Sequence, residues 1–153
     1  MSIQRNHPDQ TKLNPKATLP FELRLNDFAM AMQDVYDFFH DVNVGLVEKG
    51  LERLDDMVRP AIMSGLLSDM LTASLGKHSR TLTANRYFNG HPDLVVRGVY
   101  PDNCVKAGSE GVEVKTPEKR VAQLTLTVHV TSGCAFSCIR WTMKPSLPVN
   151  ESR

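Results

Sequence analysis

An α/β domain with its helices first and its strands second is the fold class the sequence predicts. Three observations predict it. Apolar residues recur at helical spacing from Leu25 to Leu71, and the character then changes after Gly76 to a stretch rich in Thr and Ser. Beyond that change, two β-rich runs, Asp93–Tyr100 and Val112–Lys115, are separated by turn-forming residues. A chain of 153 residues is long enough for one such domain with its own core and short for two.

Taken in order, residues 1–20 read as a disordered arm, because they carry Asn, Pro, Gln and Lys without periodicity. Leu25, Phe28, Met32, Val35 and Phe39 then mark a first amphipathic helix, with Asn26 and Asp27 near the positive end of its dipole. Val47, Leu51, Leu54 and Val58 repeat the spacing and predict a second helix that stops before Pro60. Proline at the first position suits a third helix, since its missing N–H has no intrahelical partner there. This helix runs through Ile62, Leu66, Met70 and Leu71, with Gly76 as its expected C-terminal cap. A short strand is expected near Leu82, and Phe88–Pro92 is turn chemistry. Residues 21–120 thus form one domain, and 121–153 a tail of uncertain character.

Composition narrows the function classes. A hydrophobic fraction of 41% and a charged fraction of 23% are those of an ordinary globular protein. The net charge of +1 neither advertises nor excludes nucleic-acid binding, because a neutral protein can be basic along one groove. No apolar run reaches membrane-spanning length, and the polar N-terminus lacks a signal-peptide core, so a cytoplasmic location is expected. Cys104, Cys134 and Cys138 are then expected as free thiols, since Cys134 and Cys138 have no second Cys/His pair to complete a zinc site.

The residues that carry chemistry lie on the two β-rich runs. Side chains alternate across a strand, so Glu113 and Lys115 project from one face while Val112 and Val114 point into the opposite layer. Charges on a strand otherwise fit for burial are costly unless they face a cleft or a metal. Asp93 begins the preceding strand just after Pro92. If the two strands are neighbours, Asp93 and Glu113 converge on one cation, with the Val114 carbonyl as a further ligand. Magnesium suits hard oxygen ligands of this kind and retains several waters.

Pro92-Asp93, about twenty residues, then Glu113-Val114-Lys115, each on a strand, resembles the PD-(D/E)xK or restriction-endonuclease-like superfamily. The resemblance covers residues 88–117. It implies a Mg²⁺-dependent DNA endonuclease, with Mn²⁺ as an alternative ion, in which Asp93 and Glu113 hold the metal. Lys115 would then orient the attacking water and neutralise charge on the phosphate. Such an enzyme would suit defence against foreign DNA, and a homodimer would suit a double-strand cutter. The superfamily often adds an acidic residue from an upstream helix, for which Glu52 and Asp69 are the candidates. His91 reads as a turn residue beside the motif, with substrate contact as its alternative role, and Arg80, Arg86, Arg97 and Lys106 are candidate phosphate contacts.

Past Lys115 the sequence departs from that pattern. The superfamily continues with a helix and a further core strand, whereas residues 124–141 read as a simple two-strand hairpin. A second account is a frameshift near Arg120. Read one base earlier, codons for Thr131–Ile139 permit an aromatic, β-branched strand, and those for Trp141–Lys144 encode Asp and Glu. On that account the core sheet is incomplete. The alternative function is then an inactive truncated remnant, or a non-enzymatic module that binds DNA or protein.

Overall fold

The computed structural model describes residues 3–11, 15, 16 and 18–115 with their side chains, and the backbone alone of residue 12 and of two strands at 124–131 and 139–143. Helix α1 spans Leu25–Glu48, α2 Leu54–Met57 and α3 Pro60–His78. Strands β1 (Leu82–Ala84), β2 (Leu94–Val96), β3 (Gly111–Lys115), β4 (Leu124–Thr131) and β5 (Ile139–Met143) follow. They form one antiparallel sheet in sequence order. The coarse α/β expectation therefore holds: a helical half precedes an antiparallel sheet. No helix among the described residues is long and apolar enough to cross a membrane.

Helix α1 follows its predicted stripe, with Phe28, Met32 and Val35 buried and Leu25 and Phe39 packed at the edge of the core. Its start is fixed by Asp27. One carboxylate oxygen accepts from the Arg24 backbone N–H at 2.9 Å, and the other from the Arg24 guanidinium at 2.8 Å. That pairing satisfies the backbone donor ahead of the first turn. Before α1, Arg5 donates to Asp37 and Asp41 at 2.6 and 2.7 Å, which lays the N-terminal segment along the exposed side of the helix.

The second predicted helix shrinks to a single four-residue turn. Val47 lies in the last turn of α1, where it is 42% exposed, and Leu51 is 51% exposed beyond the helix. The cause is Gly50, whose φ of +72° ends α1. Gly50 N–H donates to the Val47 carbonyl at 2.9 Å, and Leu51 N–H to the Leu46 carbonyl at 3.0 Å, the two bonds of a Schellman cap. Buried Asn43 joins the shortened α2 to α1. Its side chain accepts from Leu54 N–H and donates to Asp55, both at 2.8 Å.

Helix α3 begins at Pro60 as expected, but its buried face is Met63, Leu67, Leu71, Ser74 and Leu75, while Ile62 is 62% exposed. The apolar residues of this segment occupy adjoining faces, so spacing alone favours neither stripe. Nor is Gly76 a cap, because the helix continues to His78. A Cβ at Gly76 would lie 3.2 Å from Leu94 Cδ2 and 3.3 Å from the Ala84 amide nitrogen. Glycine here lets α3 approach the first two strands closely.

One cluster clamps α1 to α3. A single oxygen of Asp34 accepts from Ser74 Oγ, from His78 Nε2 at 2.9 Å and from Lys77 Nζ at 3.0 Å. Burial works against the ionised form, but these donors outweigh it and hold the Asp34 carboxyl down at about 2. A carboxyl whose folded value lies below its unfolded one contributes stability above the ordinary range near 3.8, and loses it as pH falls through about 2. The difference in urea midpoint between the native chain and Asp34→Asn is therefore expected to be largest near neutral pH and to shrink below about pH 4. A difference independent of pH between about 6 and 3 would refute this role.

The core joins the inner faces of α1 and α3 to Leu82, Leu94, Val112 and Val114 of the sheet. Only Leu94–Val96 of the predicted Asp93–Tyr100 strand is extended, because Gly98 at φ +77° turns the chain out of the sheet. On the far side, β3 pairs with β4 from Gly111↔Thr131 to Lys115↔Thr127, and β4 pairs with β5. Antiparallel backbone pairing of 124–131 with 139–143 is the arrangement of the simple hairpin alternative. Cys134, Cys138, the tail from 144 and the junction near Arg120 lie outside the described residues.

Candidate metal centre

The β2–β3 pair brings the three motif residues together. Register Leu94↔Val112 and Val95↔Gly111 places Asp93, just before β2, beside Glu113. Burial along β3 alternates as predicted. Val112 and Val114 are 0% and 5% exposed in the core, and the Glu113 and Lys115 side chains stand on the other face at 14% and 61%.

The segment carrying Asp93 is held from both sides. Asn85 uses all four of its side-chain bonds, donating to the Pro92 and Val105 carbonyls at 2.9 and 2.8 Å and accepting from Tyr87 and Val105 N–H at 3.0 and 3.1 Å. Its backbone N–H donates to the Asp93 carbonyl at 2.8 Å. Opposite, His91 N–H donates to the Lys106 carbonyl at 3.0 Å, and Gly108 N–H to the His91 carbonyl at 2.8 Å. Tyr100 Oη accepts from Ser109 and Glu110 N–H, both at 2.9 Å, which fixes the approach to β3. A backbone held by so many bonds fixes the point from which the Asp93 side chain departs.

Asp93 Oδ2 accepts from Val114 N–H at 2.8 Å, so the first acidic residue is tied to the residue between Glu113 and Lys115. Burial pushes the Asp93 carboxyl above its ordinary value; the Val114 bond opposes this, and the nearby Glu113 carboxylate adds to it. Glu113 Oε1 lies 3.2 Å from Lys115 Nζ. Its Oε2 is buried without a hydrogen-bond partner, although His91 Nδ1 is only 2.8 Å away. Distance alone does not make a hydrogen bond, and this contact lacks the required alignment.

An orphaned buried carboxylate oxygen beside a second desolvated carboxyl is an arrangement that a divalent cation relieves. Among the described residues no group of three or more His, Cys, Asp or Glu side chains stands ready to enclose an ion. Magnesium does not require one. It is bound through one or two carboxylates, with waters and substrate phosphate filling the remaining positions. Asp93 and Glu113 supply the two carboxylates of such a donor set, and the Val114 backbone lies beside them through its N–H bond to Asp93.

Neither upstream acidic candidate completes a three-residue metal group with this pair. Glu52 is exposed on the connection before α2, and Asp69 is exposed on α3. Arg97 donates to the Gly76 carbonyl at 3.0 Å and so ties the end of β2 to α3. Arg80, Arg86 and Lys106 are exposed, and Cys104 is a half-buried free thiol. Phe88, at 87% exposure, stands on the turn leading to His91. The sequence reading missed the contact of His91 with Glu113 and the anchoring by Asn85 and Tyr100. Each joins residues remote in sequence or sitting in turns, where periodicity carries no signal.

No protein-family model, curated protein or solved structure matches the chain.

Proposed function

We propose that the chain is a metal-dependent DNA endonuclease of restriction-endonuclease-like type, hydrolysing phosphodiesters at Asp93, Glu113 and Lys115. The observation that carries this reading is the juxtaposition of Asp93 and Glu113 on neighbouring strands, with one buried oxygen left unsatisfied. A part-buried carboxyl beside a carboxylate with one buried, unbonded oxygen is unfavourable for stability alone and useful for holding a cation. Bound there, Mg²⁺ or Mn²⁺ would supply a water of lowered pKa and a Lewis acid for the phosphate.

The chain's own groups have distinct tasks. Asp93 and Glu113 supply negative charge at fixed positions, and the bond from Val114 N–H keeps Asp93 in place as β3 bears the load of binding. Lys115, mostly exposed beside Glu113, offers a mobile positive charge to the attacking water and to the phosphate as its charge grows. The role in defence and the homodimer extend this reading and rest on the same resemblance.

Replacing Asp93 with Ala tests it. Cleavage of plasmid DNA in Mg²⁺ or Mn²⁺ is expected to fall by about a thousandfold, with the helical circular dichroism unchanged, because the lost group acts on the transition state. Cleavage that survives Asp93→Ala would sink the assignment.

A further inference from the structure

We propose that the exposed turn Tyr87–Gly90 is a stacking platform for an unpaired nucleobase, and that the DNA this chain takes is single-stranded. The proposal rests on the nuclease reading above and names the form of its substrate. Phe88 is 87% exposed and its neighbour Tyr87 41%. Their turn leads directly into His91, whose imidazole pairs with the Glu113 carboxylate at 2.8 Å. A single apolar residue on a surface is ordinary, but two adjacent aromatic rings beside a candidate site mark a contact.

The turn is braced from within and from behind. Gly90 N–H donates to the Tyr87 carbonyl at 2.9 Å, and Tyr87 N–H to Asn85 Oδ1 at 3.0 Å. A Cβ on Gly90 would lie 2.5 Å from both Asn85 Nδ2 and the Val105 carbonyl oxygen, so the turn is seated closely on the neighbouring segment. The backbone under Phe88 is therefore fixed before any ligand arrives. Stacking on its ring orders only side-chain torsions, which keeps the entropic cost of the contact low.

The charge around the turn matches a nucleic-acid strand. Segments 85–92 and 103–109 lie side by side, with Arg86 N–H donating to the Asn103 carbonyl and His91 N–H to the Lys106 carbonyl, both at 3.0 Å. Together they carry Arg86, His91 and Lys106, all exposed, and no Asp or Glu. Cations that follow a phosphate backbone and rings that take its bases are the two parts of a single-strand surface. A duplex hides its base faces in the stack, and a chain of net charge +1 has little charge with which to hold two backbones. An unpaired strand offers Phe88 a face and is led by the same turn toward Asp93 and Glu113. A supercoiled plasmid presents such bases where its duplex opens.

The test is fluorescence anisotropy of the full chain with a labelled oligothymidylate and with a duplex of the same length, in EDTA so that nothing is cleaved. The single strand is expected to bind more tightly than the duplex. Phe88→Ala should weaken single-strand binding by about five- to a hundredfold with the urea midpoint unchanged, and Phe88→Trp should restore it. Phe88→Leu, apolar but without a π-face, should behave as Ala does. Replacing Arg86 and Lys106 together with Gln should lower the slope of log affinity against log salt by about 1.4. Single-strand binding that is absent, or that Phe88→Ala leaves unchanged, overturns the proposal, as does full recovery with Phe88→Leu. If Phe88→Ala instead abolishes self-association in sedimentation while DNA binding is unaltered, the turn is a contact between copies and the proposal is again overturned. Phe88-dependent binding without cleavage in Mg²⁺ or Mn²⁺ would keep the platform and remove the nuclease, whereas plasmid cleavage with Phe88-independent binding would do the reverse.

Discussion

Glu113→Gln is expected to lower plasmid cleavage by at least about a thousandfold while leaving the stability of the metal-free chain within about 1 kcal/mol of its native value. The two halves of this result have separate causes. In the metal-free protein, Glu113 gains little. Its partners Lys115 and His91 are 61% and 49% exposed, and pairs of that kind contribute about 0–1 kcal/mol. Against this stand an unsatisfied buried oxygen and a neighbouring carboxyl, Asp93, whose ionisation Glu113 opposes. Glutamine keeps the shape and removes that repulsion. In catalysis the same carboxylate would hold the cation, and a thousandfold loss corresponds to about 4 kcal/mol of transition-state stabilisation. Function and stability are thus expected to part company, as they do where a site is held at the expense of the fold. A hairpin that merely displays an ion pair predicts no cleavage to lose and a small, salt-sensitive loss of stability. Thermal unfolding and cleavage rates measured on the same preparation separate the two.

Gly111→Ala is expected to be the most damaging Gly→Ala change among the described glycines. A Cβ at this position would stand 2.1 Å from the Leu94 carbonyl oxygen and 2.3 Å from Pro92 Cγ. Neither neighbour can give way easily. Leu94 is fully buried and paired with Val112, and Pro92 is buried with its carbonyl held by Asn85. Relief requires β2 and β3 to separate, which breaks the Val95↔Gly111 register and moves Asp93 away from Val114. A loss of more than about 3 kcal/mol in urea unfolding is expected, with metal binding lost as well. Gly65→Ala is the control. Nothing lies within 4 Å of the added carbon in α3, and the gain in helix propensity should stabilise by about 0.5–1 kcal/mol. A native urea midpoint for Gly111→Ala would refute the close approach of the strands.

Much of this architecture was legible before any coordinates, for reasons that can be named. The α1 stripe could be read because Phe28, Met32 and Val35 share one face against polar neighbours. The alternation Val112-Glu113-Val114-Lys115 could be read because a strand has period two, and one of its faces is core. Where the reading went astray, a local signal was outweighed by a broader one. Gly50 after Lys49 is a cap signal, but the apolar spacing from Val47 to Val58 ran across it. Gly76 also suggested a cap, yet its smallness serves the contact with β1 and β2. In α3 the apolar residues lie on neighbouring faces, so the buried stripe starts at Met63 and leaves the expected Ile62 exposed.

The candidate centre was legible only in part. Spacing named Asp93, Glu113 and Lys115, and register brings the first two side by side. What spacing does not carry is the buried orphan oxygen of Glu113, the approach of His91, or the four bonds of Asn85. These follow from how the 85–108 connection folds back on itself. Asp34 escaped notice for a similar reason, since Ser74, Lys77 and His78 meet it across two helices.

The measurement that bears most directly on the central claim is a plasmid cleavage assay with the unaltered chain, begun by adding Mg²⁺ or Mn²⁺ and stopped with EDTA. Nicked or linear DNA that accumulates with time only while the metal is present is the predicted result. Plasmid that stays supercoiled with either ion, in the presence of protein shown to be folded by circular dichroism, would contradict it and leave the hairpin as part of a non-enzymatic module.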